Sequence, residues 1–106
     1  MEQSLSETQR RVADFLAVHA LEAPLMERLL DLVSEVGELA KAALAPSEYG
    51  RAPFTVTAAW CEELGDVTFA LLGVAAASDV DLATALEDAL EKLARRLAAT
   101  GDATSG

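Results

Sequence analysis

An all-α chain, folded as a four-helix bundle and assembled as a homo-oligomer, is the architecture that the sequence predicts. Three observations carry this expectation. Alanine, the strongest helix former, is abundant, and only three prolines and six glycines interrupt 106 residues. Hydrophobic residues make up 52% of the chain and aromatic residues 5%, which excludes disordered and fibrous classes and disfavours an all-β domain. Apolar residues also recur at helical rather than alternating spacing in four stretches. The length supports one domain, placed at 1–100, with a short polar tail at 101–106.

The first helix is expected over about 6–21, with Val12, Phe15 and Leu16 on its apolar face and Ser4 or Ser6 as its cap. Pro24 lies in the break after it. The second runs over about 23–44, where Leu25, Leu29, Leu32, Val33, Val36, Leu39, Ala40 and Ala43 share a stripe. Residues 45–54, APSEYGRAPF, read as a loop. The third helix is expected over about 55–77, ending at Ser78 and Asp79. The fourth runs over about 81–99, with Leu82, Leu86, Ala89, Leu90, Leu93 and Leu97 as its core face and Gly101 as its stop. Short connections between four helices predict a bundle. Val67, Phe69, Leu71, Leu72 and Val74 surround most of the third helix, so a second subunit is expected to cover one of its sides.

Charge narrows the partners. Eighteen acidic residues against eight Lys and Arg give a formal charge of −10. That balance argues against nucleic acid and against anionic membranes, both of which need basic surface. A polyphosphate would be acceptable only with a divalent cation between it and the protein. The lone cysteine, Cys61, cannot form an internal disulfide and reads as a small buried hydrophobe. No signal-type apolar stretch opens the sequence, and the run 67–77 is too short to span a bilayer. A cytoplasmic location is the expectation.

Two acidic pairs stand out. Glu35 and Glu38 are three apart on the second helix, as are Glu63 and Asp66 on the third, and that spacing puts each pair on one face. Asp31 extends the first pair into a stripe. Glu62, Glu87 and Glu91 read as solvated charges. Asp66 does not, because it lies beside Val67, Ala70 and Val74 in the most apolar segment. A carboxylate there must be paired or ligate a metal, and two like-charged pairs facing one another need a proton or a cation between them. Lys41 is expected to point aside. Oxygen ligands alone indicate Mg²⁺ or Mn²⁺, while His19 and Cys61, each the only one of its kind, exclude a usual zinc site. His19 reads as a packed residue at the edge of the core.

Lys92, Arg95 and Arg96 gather near the end of the fourth helix. Local pairing of Asp88 with Lys92 and of Glu91 with Arg95 is one explanation. Contact with phosphate is the other, and it suits Lys92 and Arg96, which are four apart and flank the core face.

The segment LLDLVSEVGELAKAAL (29–44), followed by EELGDVTFALLGVA (62–75), resembles the MazG-like nucleotide pyrophosphohydrolases of the all-α NTP pyrophosphatase superfamily. The likeness continues through DVDLATALEDALEKLARRL (79–97) and covers about two thirds of the chain. It implies a MazG-like helical domain working as a homodimer or a dimer of dimers. It also implies Mg²⁺-dependent hydrolysis of a nucleoside triphosphate to the monophosphate and pyrophosphate. By the same resemblance, Glu35, Glu38, Glu63 and Asp66 would hold metal, with Glu35 or Glu38 also orienting the attacking water. Lys92 and Arg96 would contact phosphates, with Arg95 beside them as a further phosphate-binding candidate from its position alone. Ser34 stands where many relatives carry a further glutamate, which leaves the number of metal ions open. Trp60 could stack on a base, and Tyr49 and Phe54 could close over one; plain core packing is the alternative for Trp60.

Two other functions fit less well. A phosphoribosyl-ATP pyrophosphohydrolase would share the fold, but its stretch after the second acidic pair differs from Gly65-Asp66-Val67-Thr68-Phe69. A catalytically silent helical dimer acting as a binding module would have no need of all four carboxylates.

Overall fold

The computed structural model describes residues 3–101; the proposed tail beyond 101 lies outside them. Within these residues the chain is all-helical. Its elements are α1 (Leu5–Val18), α2 (Leu25–Leu44), α3 (Ala58–Ala77) and α4 (Leu82–Thr100).

Each helix begins where local chemistry satisfies its free N–H groups. Ser4 caps α1 in a capping box: Ser4 Oγ accepts from Glu7 N at 3.1 Å, and Glu7 Oε1 accepts from Ser4 N at 3.4 Å. The helix ends at Val18, earlier than the sequence suggests, because His19 and Ala20 (φ 53°) turn the chain away. α2 starts behind Pro24, whose fixed φ suits a helix entrance. Thr57 caps α3, its Oγ1 accepting from Trp60 N at 3.1 Å, so residues 55–57 are extended rather than helical. Gly101, in the left-handed region at φ 73°, closes α4.

α2 and α3 form an antiparallel hairpin that makes the main helix contact, and α1 packs on the other side of α3. The buried residues are Leu16 of α1 with Ala70, Leu72, Gly73 and Ala75 of α3. Phe15 meets Phe69 edge-on with ring centroids 5.9 Å apart. Arg28 lies across Gly73, its Cδ 3.5 Å from where a Cβ would stand, and its Nη2 donates to Leu21 O. One arginine thus ties the α1–α2 turn to α3.

The fourth helix behaves differently. It bends away from α3 by 102°, and its main contact is with the start of α1. The attachment is polar: Ser6 Oγ donates to Asp81 Oδ1 at 2.9 Å, Gln9 Nε2 donates to Val80 O at 2.7 Å, and Gln9 Oε1 accepts from Leu82 N at 2.8 Å. No α4 residue is buried, and its expected core face is open, with Leu86, Leu90 and Leu97 each about half exposed. Four helices are present as predicted, but within one chain α4 does not close a bundle over α2 and α3.

Consequently much apolar surface is uncovered. Accessible surface is 7575 Å², about a third more than the ~5,700 Å² expected for a compact 11.1 kDa monomer. The radius of gyration, 16.6 Å, likewise exceeds the ~13 Å of a compact domain this long. Val33, placed by spacing in the buried stripe, is instead exposed on an outer face of α2 with Met26 and Leu30. Cys61, expected to be buried, is exposed. His19 is exposed too, though its ring rests 4.4 Å from that of Phe15.

Candidate metal centre

The α2–α3 hairpin sets the site. In an antiparallel pair each step along one helix is matched by a step back along the other, so Glu35 lies about level with Asp66, and Glu38 with Glu63. Carboxylate oxygens of Glu35, Glu63 and Asp66 all lie within 4.8 Å of one another. Glu35 of the first pair therefore faces both acids of the second, while Glu38 lies outside this cluster.

Their environment is unfavourable for bare charge. Glu35 and Glu63 are half-buried, and Glu63 Oε2 is shielded from solvent with no hydrogen-bond partner. Desolvation by burial, followed by repulsion from Asp66 and then from the other acids, holds both carboxyls above their ordinary value. Asp31 and Glu38 add to the repulsion at Glu35, and Glu38 and Glu62 add to it at Glu63. Asp66 itself is exposed, contrary to the expectation that it is buried among apolar neighbours. It sits on the rim of the α2–α3 seam, facing outward yet next to the other two acids.

Glu38 stands one turn beyond Glu35 and is partly neutralised. Lys41 Nζ lies 3.8 Å from Glu38 Oε1, the one ion pair among the described residues. Lys41 thus does not point aside, and its i,i+3 position was the signal for this contact. The pair is exposed and weak, so it leaves Glu38 available as a ligand.

These residues suit a hard divalent cation. They supply oxygen donors only, and they include a shielded carboxylate oxygen without a partner. Glu35, Glu63 and Asp66 would hold the ion, with Glu38 in reach of the same cluster. It would relieve the repulsion that otherwise favours protonation of Glu35 and Glu63.

The remaining candidates divide. Trp60 lies one turn before Glu63 on the same face of α3, half-buried, with its ring 5.0 Å from that of Phe54 in an edge-to-face pair. Tyr49 is exposed at the tip of the 45–57 loop, where Glu48, Tyr49 and Gly50 all take positive φ (50°, 58° and 92°). The structure therefore joins Phe54 to Trp60 and leaves Tyr49 apart. Lys92 and Arg95 are exposed and Arg96 is half-buried, all on α4. They are not beside the carboxylates of their own chain. At ~1.5 Å per helical residue and with the 102° bend after α3, Lys92 and Arg96 stand roughly 20–25 Å from Asp66.

The chain is thus an all-helical protein whose facing helices bring three carboxylates together in an arrangement able to hold a cation. A family model for the MazG nucleotide pyrophosphohydrolase domain matches residues 25–99, and the chain belongs to that family. Membership carries a general expectation of nucleotide pyrophosphohydrolase activity, in a family that generally uses a divalent metal. No curated protein and no solved structure matches the chain. Among the described residues, no single helix is long and apolar enough to cross a membrane.

Proposed function

We propose that the protein is a Mg²⁺-dependent nucleoside triphosphate pyrophosphohydrolase that releases a nucleoside monophosphate and pyrophosphate, with Mn²⁺ as a possible substitute. The observation that carries this reading is the convergence of Glu35, Glu63 and Asp66 within 4.8 Å, with a shielded, unpartnered oxygen on Glu63. A house-cleaning role on (d)NTPs, in the cytoplasm and as a homodimer or dimer of dimers, accompanies it.

Glu35, Glu38, Glu63 and Asp66 would hold the metal. When bound, it would neutralise triphosphate charge and lower the pKa of water at the site. The protein's own residues do the rest. Glu35 or Glu38 accepts a hydrogen bond from the attacking water and orients it towards the α-phosphorus. Glu35 is well suited to take its proton, since burial and then its like-charged neighbours hold its carboxyl above the ordinary value. Attack on the α-phosphorus breaks its bond to the bridging oxygen of the β-phosphate, and pyrophosphate leaves with that oxygen. Lys92, Arg96 and Arg95 supply the positive charge that the departing group needs. Trp60, steadied by Phe54, offers a face on which a base can stack. The net charge of −10 keeps duplex nucleic acid away while leaving a cation-bridged nucleotide acceptable.

The test is a panel of canonical and modified (d)NTPs incubated with pure protein and Mg²⁺ or Mn²⁺. Pyrophosphate release from at least one is expected. Release from none, with either ion, would sink the enzyme reading.

A further inference from the structure

Among the described residues, Lys41 is the one cation that pairs with a carboxylate, and its partner is Glu38, one of the proposed metal ligands. The contact is loose. Nζ stands 3.8 Å from Oε1, too far for a hydrogen bond, and the two side chains are 77% and 52% exposed. An exposed i,i+3 pair of this kind adds little to stability. Either partner can therefore exchange the other for a stronger one at small cost.

The register of the hairpin says what Lys41 can meet instead. With Glu38 about level with Glu63, Lys41 is one turn further along α2 and Trp60 one turn back along α3, so these two are also about level. Each offset is three residues, or ~4.5 Å along the helix axis. Lys41 thus stands between the acidic cluster on one side and the loop end of the hairpin on the other. At that end the Phe54 and Trp60 rings pair with centroids 5.0 Å apart. A nucleotide with its base on Trp60 and its phosphates at the carboxylates passes Lys41 with the phosphate nearest the sugar. Other cations are placed elsewhere: Arg28, at the opposite end of α2, is engaged with Leu21 O, and Lys92 and Arg96 are on α4.

Charge favours the exchange. Glu38 cannot serve a metal ion and Lys41 equally, so filling the site leaves the ammonium without its carboxylate. Four carboxylates and a triphosphate leave negative charge over even beside a divalent ion, and an ammonium on a flexible stem can follow that charge. We propose that Lys41 is a phosphate-binding residue of this site, leaving Glu38 when the site fills and donating to a non-bridging oxygen of the α-phosphate. The proposal rests on the pyrophosphohydrolase reading for its ligand. It makes Lys41 a holder of the monophosphate product rather than of pyrophosphate.

The test is calorimetric titration of wild type, Lys41→Gln and Lys41→Arg in Mg²⁺ with the four canonical deoxynucleoside monophosphates and, separately, with pyrophosphate. Lys41→Gln is expected to weaken the monophosphate that the wild type binds by roughly tenfold or more, as suits the loss of a charged hydrogen bond. Its pyrophosphate affinity should stay within about twofold, and Lys41→Arg should recover most of the loss. Titration with Mn²⁺ alone gives a readout free of nucleotide: Lys41→Gln should bind the ion as tightly as wild type or more so, because Glu38 loses a competing cation. A wild type that binds none of the monophosphates, a Lys41→Gln protein that binds them unchanged, or weaker Mn²⁺ binding would each overturn the proposal. Equal loss of both phosphate ligands with a marked fall in melting temperature would make Lys41 a support of the α2 end instead. Monophosphate held through Lys41 by a protein that releases pyrophosphate from no (d)NTP would sink the hydrolase reading and keep the placement of Lys41.

Discussion

Asp66 adds the largest charge–charge contribution to the raised carboxyls of Glu35 and Glu63 while itself facing solvent. Replacing it with Asn removes a ligand and a repulsion together. Turnover is expected to fall further than the ~10–100-fold typical of changes one shell out from a metal, while the melting temperature in chelator stays level or rises. A large drop in that melting temperature would mean that Asp66 is structural. Proton linkage gives a second expectation. Because Glu35 and Glu63 titrate above their ordinary 4.5, the folded state takes up protons before the unfolded one does. Their destabilisation is complete above the raised values and gone below 4.5, so metal-free protein should gain stability as pH falls through the raised values towards 4.5. Glu63→Gln should flatten that slope, and stability that rises with pH in this window would contradict it. Both acidic pairs are legible in sequence, since a spacing of three fixes a shared helix face. The exposure of Asp66 and the reach of Lys41 to Glu38 are not, because they depend on the tilt between helices and on rotamers.

At the scale of elements, α3 carries its contacts on two faces. Glu63 meets Glu35 of α2, and Gly73 meets Leu16 of α1 and the side chain of Arg28. Gly73 lies inside a helix, where glycine costs about 1 kcal/mol relative to alanine. A Cβ there would meet Arg28 Cδ at 3.5 Å and Leu16 Cδ1 at 3.8 Å, which are ordinary contacts. Gly73→Ala is therefore expected to stabilise the protein by ~0.5–1 kcal/mol in chemical denaturation. A loss would show that the α1–α3 seam has no room for a methyl group. The four helices could be found from apolar spacing and punctuation, and α2 was found to within two residues. The direction of α4 could not. Its stripe marks an apolar face but not what that face lies against, and the bend is set by the turn at 78–81, where Asp79 takes φ 55° and Gln9 bonds to both sides.

For the whole molecule, one chain leaves its longest apolar faces uncovered, and assembly is the physical remedy. Light scattering at micromolar concentration is expected to give at least twice 11.1 kDa, with a thermal midpoint that rises with concentration. A folded monomer with a concentration-independent midpoint would contradict this. The all-round apolarity of α3 signalled an oligomer in the sequence, whereas the open α4 needed the fold. The central claim is that the facing carboxylates direct water to the α-phosphorus of a nucleotide, and ³¹P NMR of the products tests it most directly. With Mg²⁺ and an accepted (d)NTP, monophosphate and pyrophosphate should appear in equal amounts, and neither should form in chelator. Diphosphate with inorganic phosphate, or products that form equally well without a divalent ion, would contradict the account.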